Sequence, residues 1–326
     1  MKKPTDASSR VDPNGLAQAA QAGSAQLQSA DARSVRAAGL TRDVMAFSLF
    51  GNDPGYGEGA VLNAQRMAQV YPGWAMWLYH DDSVPASVLT RLHALGVRLL
   101  HAPALGIGHW PGTFWRFDAV TQPGVRRVQF RDADSLIGPR EQALVQAWLA
   151  SGQPFHIMRD WYSHTDLILA GLWGAWAPYL AHLREWVNDY LAQHRVHPTH
   201  GDQAFLADVI WPRIRAHALV HDSLHQGPGI TAFEPPDHAL DGQNALGGYR
   251  VKRLDISIEQ PLDLPYRLRV LDAQGREVCD YARQLRRGQD HFHLPYEIHD
   301  EIEAKRWQLR IEPGSPASSD PKENPS

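Results

Sequence analysis

From Val44 onward, short apolar runs alternate with amphipathic stretches, whereas the forty or so residues before it hold almost no large apolar side chain. That alternation is the pattern of β-α units around a mainly parallel sheet. Residues 44–50 predict a buried strand, closed by the turn formers Gly51-Asn52-Asp53-Pro54-Gly55. A helix is expected over 58–70, a second strand over 74–79, a second helix over 84–95 with Pro85 near its first turn, and a third strand over 97–100. After a Gly- and Pro-rich loop, 114–120 reads as helical. Residues 126–130 read as a strand that runs directly into Arg131-Asp132-Ala133-Asp134-Ser135. Helices are expected over 140–150, 178–192 and 202–210, and extended segments over 155–158 and 218–220.

The texture changes near Gly248. Leu254-Asp255-Ile256-Ser257-Ile258 and Tyr266-Arg267-Leu268-Arg269-Val270-Leu271 alternate strictly, and Asp272-Ala273-Gln274-Gly275 is a turn. Strands with one solvated face alternate in this way, so a small antiparallel β appendage is expected. The division is then a disordered tail over 1–42, an α/β domain over 43–247, a β-rich appendage over 248–312 and a second tail over 313–326. Both tails are too poor in large apolar groups to offset chain entropy.

Composition narrows the partners. A formal charge of −4 gives no general attraction for nucleic acid. The single cysteine, Cys279, cannot close an intramolecular disulfide or build a thiolate metal site alone, which fits a reducing, cytoplasmic setting. No secretion-type apolar segment follows Met1, and no run approaches eighteen apolar residues, so a soluble chain is expected, with peripheral membrane contact left open.

Asp132 and Asp134 carry the candidate chemistry. Such a triplet arises by chance in a chain of this composition, and as solvated turn or capping residues the two would mean nothing. Their place at the end of an apolar strand gives them weight, because ligands of open α/β sheets bind just outside the carboxyl ends of strands. Two hard carboxylates there suit Mg²⁺ or Mn²⁺ bridging a diphosphate.

The stretch from Ser48 to Leu62, with Asn52-Asp53, Tyr56 and Gly59-Ala60, resembles the opening of family 8 glycosyltransferases, the glycogenin and galactosyltransferase-like group, with one extra residue before the Tyr. The blocks Phe114-Trp115-Arg116-Phe117, Arg131 to Ser135, Met158-Arg159-Asp160, Gly171-Leu172-Trp173-Gly174, Asp202 to Leu206 and His221-Asp222 follow in that family's order, over about residues 44–235. Related bacterial and viral proteins of GT-A type look similar. The resemblance implies a GT-A, Rossmann-like fold and metal-dependent, retaining transfer of a hexose from a nucleotide-sugar, a UDP-sugar above all, to a glycan, lipid or protein acceptor. Phe50, Gly51, Asn52 and Tyr56 would hold base and ribose, and Arg116 the donor phosphates. Asp132, Asp134 and His221 would ligate Mn²⁺ or Mg²⁺, Asp160, Asp202 and Gln203 would surround the donor sugar, and Asp202, Gln203 and Arg116 would be the catalytic candidates. Ala170-Gly171 stands where many relatives have Gly-Gly.

Two rival readings stand beside this one. A sugar-1-phosphate nucleotidyltransferase would need a Gly-rich phosphate loop after the first strand, which is missing. A non-catalytic glycan-binding module would use some of the 11 Trp for stacking, yet most of them sit in core-like patterns.

Overall fold

The computed structural model describes residues 39–197, 200–234, 245–258, 266–283 and 288–313. The expected tails fall outside these residues, apart from 39–42 and 313. Eight strands form one sheet: β1 Arg42–Leu49, β2 Ala75–His80, β3 Arg98–His101, β4 Val125–Arg131, β5 Phe155–Arg159, β6 Leu172–Trp176, β7 Ala218–Asp222 and β8 Ile230–Ala232. Their order is β3-β2-β1-β4-β6-β5-β7-β8. Every neighbouring pair is parallel except the two made by β6, which runs antiparallel between β4 and β5. The α/β class read from the sequence is the observed one. The strand β6 was not expected, because Leu-Trp-Gly-Ala-Trp has neither period-2 alternation nor β-branched residues. Its Gly174 is required by packing, since a Cβ there would overlap the Gln129 carboxamide on β4.

Helices cover both faces: α1 Pro54–Val70, α2 Ala86–Ala94, α3 Pro139–Ser151, α4 Leu183–Gln193 and α5 Gly201–Phe205. Helix α1 begins four residues earlier than expected because Asp53 caps it, accepting from Gly55 N at 2.8 Å, and because Pro54 suits a first turn. The expected helix at 114–120 is a 3₁₀ helix over Gly112–Thr121, and the one at 178–192 divides into a 3₁₀ turn, Ala177–Leu180, and α4. Strand β1 sends Val44 and Ala46 to one face, against Phe114, Phe117 and Phe130, and Met45, Phe47 and Leu49 to the other, against Val61, Val145 and Trp148.

The C-terminal segment pairs antiparallel as expected, with β9 Val251–Ile258 on β12 Gly288–Pro295, and β10 Tyr266–Leu271 between β11 Glu277–Arg283 and β13 Gln308–Pro313. Helix α6, Tyr296–Glu303, was not expected. The segment forms small antiparallel sheets of its own, as expected, and packs as a further layer on the α/β sheet. Leu268, Val270, Tyr281, Phe292 and Leu294 join the core on the α1 side of the sheet. The Tyr281 hydroxyl donates to Glu58 Oε1 at 2.8 Å, and Arg91 grips the same carboxylate with two bonds of 2.7 Å.

Helix α1 also fixes the loop after β4. A Cβ at Gly59 would overlap the carbonyl oxygen of Ala133, so only glycine lets the helix lie against that loop. One turn on, buried Asn63 donates to Ser135 O at 2.8 Å and Gly59 O at 3.0 Å and accepts from Ile137 N at 3.0 Å. Asn63→Ala would leave a buried N–H and a buried C=O of that loop unpaired, and a thermal or urea melt should show a loss of roughly 3 kcal/mol. A loss below about 1 kcal/mol would show that the loop is held by other contacts.

Candidate functional site

A cavity of about 430 Å³ opens at the carboxyl edge of β1 and β4. Ser48, Leu49 and Phe50 line it from the end of β1, Asp132, Ala133 and Asp134 from the end of β4, and Ala170, Gly171 and Leu172 from the start of β6. The start of β6 belongs there because β6 is antiparallel, with Leu172 opposite Arg131. Tyr56, Thr113, Arg116, His164, Asp202 and Gln203 add polar and aromatic groups to the walls, together with His200, Leu169 and Gly247.

The centre is an ion-pair sandwich. The Arg116 guanidinium, 3% exposed, donates to the Asp132 carboxylate on one side and, at 2.9 Å, to Asp202 Oδ2 on the other. It also donates to the Arg131 carbonyl at 2.9 Å. Arg116 thus ties the two carboxylates together while its side chain also lines the cavity. Arg131 does not pair with Asp132. It lies fully buried, within 2.9 Å of Glu141 and donating to Gly171 O at 2.8 Å, while Tyr71 donates to Glu141 at 2.8 Å. Gly171 is needed here: a Cβ would overlap the Asp132 carboxylate.

Asp134 has no ion-pair partner among the described residues. Burial, and then the neighbouring Asp132 charge, push its carboxyl up to about 7. The same surroundings raise the Tyr56 phenol, chiefly through burial and then through Asp134. Phe50 packs edge-on against Trp115 at 5.8 Å and lies across Gly112, so one ring face stays open. Gly51 and Asn52 do not line the cavity. Gly51, at φ +76°, donates to Ser83 Oγ at 2.6 Å, and Asn52 Nδ2 donates to Ala282 O at 3.3 Å, so both shape the loop that presents Phe50 and Tyr56.

The remaining expected residues divide in the same way. Asp202 and Gln203 reach the cavity, whereas Asp160 and His221 do not line it. Asp160 is buried beneath the cavity, held by Arg140 and by Leu246 N at 2.7 Å. Gln203 is a clamp: its Oε1 accepts from Ala170 N at 2.7 Å and its Nε2 donates to Asp166 at 2.9 Å. His221 sits on β7, two strands beyond β6, with Nδ1 at 2.8 Å from His156 Nε2 and its ring edge-on to Phe233. Burial pulls its pKa down to about 4. The structure therefore does not gather Asp132, Asp134 and His221. Among the described residues, the one cluster of three metal-ligand side chains is His299, Asp300 and Glu303 on α6, away from the cavity lining. Sequence reasoning missed Asn63, Thr113 and His164. His164 follows Asp160 by four residues, which was a signal open to reading, whereas Asn63 was one polar residue on a helix.

No protein-family model matches the chain, and no curated protein is similar to it in sequence. Among solved structures, its fold is similar to that of mannosyl-3-phosphoglycerate synthase from Rubrobacter xylanophilus, at 12% identity and a TM-score of 0.37, over 85% of this chain and 94% of that one.

Two predictions follow from the charges. The Asp134 carboxyl is raised above its unfolded value of about 3.9, so its ionisation opposes folding as pH climbs from about 4 to 7. Without added metal, Asp134→Asn should raise the melting temperature at pH 8 by about 2 °C or more, a gain that vanishes toward pH 4; equal melting at both pH values would contradict this environment. His221→Ala should lower stability by roughly 1–3 kcal/mol, by leaving the Nε2 of buried His156 unpaired, and should leave divalent-metal affinity unchanged. Calorimetric Mn²⁺ titration alongside a melt reads both, and a metal affinity lost with His221 would reinstate it as a ligand.

Proposed function

We propose that this chain is a metal-dependent glycosyltransferase of GT-A type, taking a hexose from a UDP-sugar to an acceptor hydroxyl. The observation that carries the reading is Asp132 and Asp134 side by side at the end of β4, within a cavity, with no ion-pair partner for Asp134 among the described residues and with Arg116 and Arg131 only partly offsetting its burial and the Asp132 charge. A carboxyl held near 7 by burial and a like charge fits a divalent-cation site, because a cation would supply the missing positive charge. Asp132 and Asp134 would hold Mn²⁺ or Mg²⁺, and the rest of the ligand sphere would come from diphosphate oxygens and water. A metal bound there supplies Lewis-acid stabilisation of the leaving diphosphate.

The chain's own side chains account for the other tasks. The open face of Phe50 and the Tyr56 ring offer apolar surface for a flat base at the β1 end. Arg116 fixes Asp132 and Asp202 relative to each other, so the metal-binding carboxylate and the wall that faces the sugar move as one unit. The glycan-binding alternative loses ground because Trp77, Trp148 and Trp173 are fully buried and have no face to offer.

Calorimetry with UDP, with and without Mn²⁺, tests the proposal. Micromolar binding that needs Mn²⁺ is the expected result, together with its loss in Asp134→Asn. The cation must displace a proton below pH 7, so affinity should fall roughly fivefold to tenfold between pH 7.5 and 6. UDP binding indifferent to Mn²⁺, or intact in Asp134→Asn, would remove the metal from the site.

A further inference from the structure

The cavity runs along one edge of four consecutive strands, the carboxyl ends of β1, β4 and β5 and the amino end of the antiparallel β6, which stand about 4.8 Å apart in a sheet. Phe50 and Tyr56 rise at the β1 end and the carboxylate pair at β4. The loop that leaves β5 and returns as β6, residues 160–171, closes the other end, roughly 14 Å from β1. A ligand laid along this edge with its base on Phe50 and its diphosphate at Asp132 and Asp134 directs its remaining group at that loop.

Most polar groups at this end are already engaged. Both ends of the Gln203 amide hold the loop, and Asp202 is tied to Arg116 and to Gln203 N at 3.0 Å. His164 is different. Its Nδ1 accepts the backbone N–H of Asp160 at 2.9 Å, which leaves that nitrogen no proton of its own. Burial lowers its pKa, so the ring is neutral and its proton lies on Nε2. The structure gives Nε2 no hydrogen-bond partner among the described residues, and the ring lines the cavity. Metal ligation through Nε2 would require that nitrogen bare and the proton on Nδ1, where it would meet the Asp160 N–H. His164 is therefore built as a hydrogen-bond donor and not as the missing metal ligand.

We propose that His164 is a specificity residue that donates its Nε2–H to a hydroxyl oxygen of the donor sugar, and so recognises the part of the ligand beyond the diphosphate. This rests on the nucleotide-sugar reading given above. Two variants separate the ring's two nitrogens. His164→Asn keeps an acceptor near Nδ1 for the Asp160 N–H but has nothing at Nε2, and His164→Gln keeps a donor near Nε2.

The measurement is calorimetric affinity, at saturating Mn²⁺, for UDP and for whichever of UDP-glucose, UDP-galactose and UDP-N-acetylglucosamine the wild type binds most tightly. In His164→Asn, UDP affinity should stay within twofold while UDP-sugar affinity falls about tenfold, and His164→Gln should recover part of that loss. Unchanged UDP-sugar affinity in His164→Asn overturns the assignment. So does an equal fall for UDP and UDP-sugar, which would mean that His164 acts on the loop or the phosphates. A wild type that binds sugar nucleotides normally beside an unaffected variant removes this inference alone, whereas a wild type that binds no UDP removes the proposed function and this inference with it.

Discussion

The backbone of one short loop is squeezed from two sides, and the candidate site depends on that squeeze. On one side helix α1 touches it through Gly59, whose missing side chain admits the Ala133 carbonyl. On the other, Gly171 at the entry to β6 lies against the Asp132 carboxylate. Asn63 then takes up the backbone groups that the squeeze would otherwise strand without water. Contacts of this kind hold the loop that carries both carboxylates, which is what preorganised sites require.

Charge compensation elsewhere makes the site stand out. The fully buried acids among the described residues have an arginine: Asp43 has Arg126 and Arg127, Glu58 has Arg91, Asp118 has Arg184, Glu141 has Arg131, Asp160 has Arg140 and Asp222 has Arg159. Asp132 and Asp202 share Arg116. Asp134 departs from this pattern, and its raised carboxyl is the electrostatic consequence. Half-buried Asp134 sits in a cavity beside a like charge without an ion pair, an imbalance of the kind that a bound cation would offset.

The sheet was legible because most of its strands are apolar runs bounded by turn formers, and the Asp pair was legible because it directly follows one of them. Strand β6 was hidden by its small residues, and its antiparallel direction by the lack of any sequence mark for direction. The early start of α1 could have been read from Asp53-Pro54. The site was half visible. Phe50, Tyr56, Arg116, Asp132, Asp134, Asp202 and Gln203 all reach the cavity, but the resemblance could not tell which of them were already occupied by each other. Arg116 and Gln203 proved to be internal ties because hydrogen-bond partners are set by tertiary packing and not by spacing along the chain. His221 was placed with the metal from its order in the chain alone, whereas β6 and β5 intervene between β4 and β7 in the sheet.

The reversal of β6 also decides what the cavity can hold. In a wholly parallel sheet the segment after β5 would cross to the far edge before the next strand began. Here it turns back at once, so the exit of β5 and the entry of β6 form one loop on the ligand side. That loop is tied at its start by Asp160 to Arg140 and Leu246, and at its end by Gln203 to Ala170. Both ties come from residues outside the loop, and one of them, Gln203, also lines the cavity. On the proposed function, metal binding would fall to the β4 loop and recognition of the group beyond the diphosphate to the β5–β6 loop, the two being joined by the Gly171 contact with Asp132, by Arg131 on Gly171 O and by the Arg116–Asp202–Gln203 chain. A replacement at Gly171 would disturb both together, while a replacement at His164 would disturb only the second.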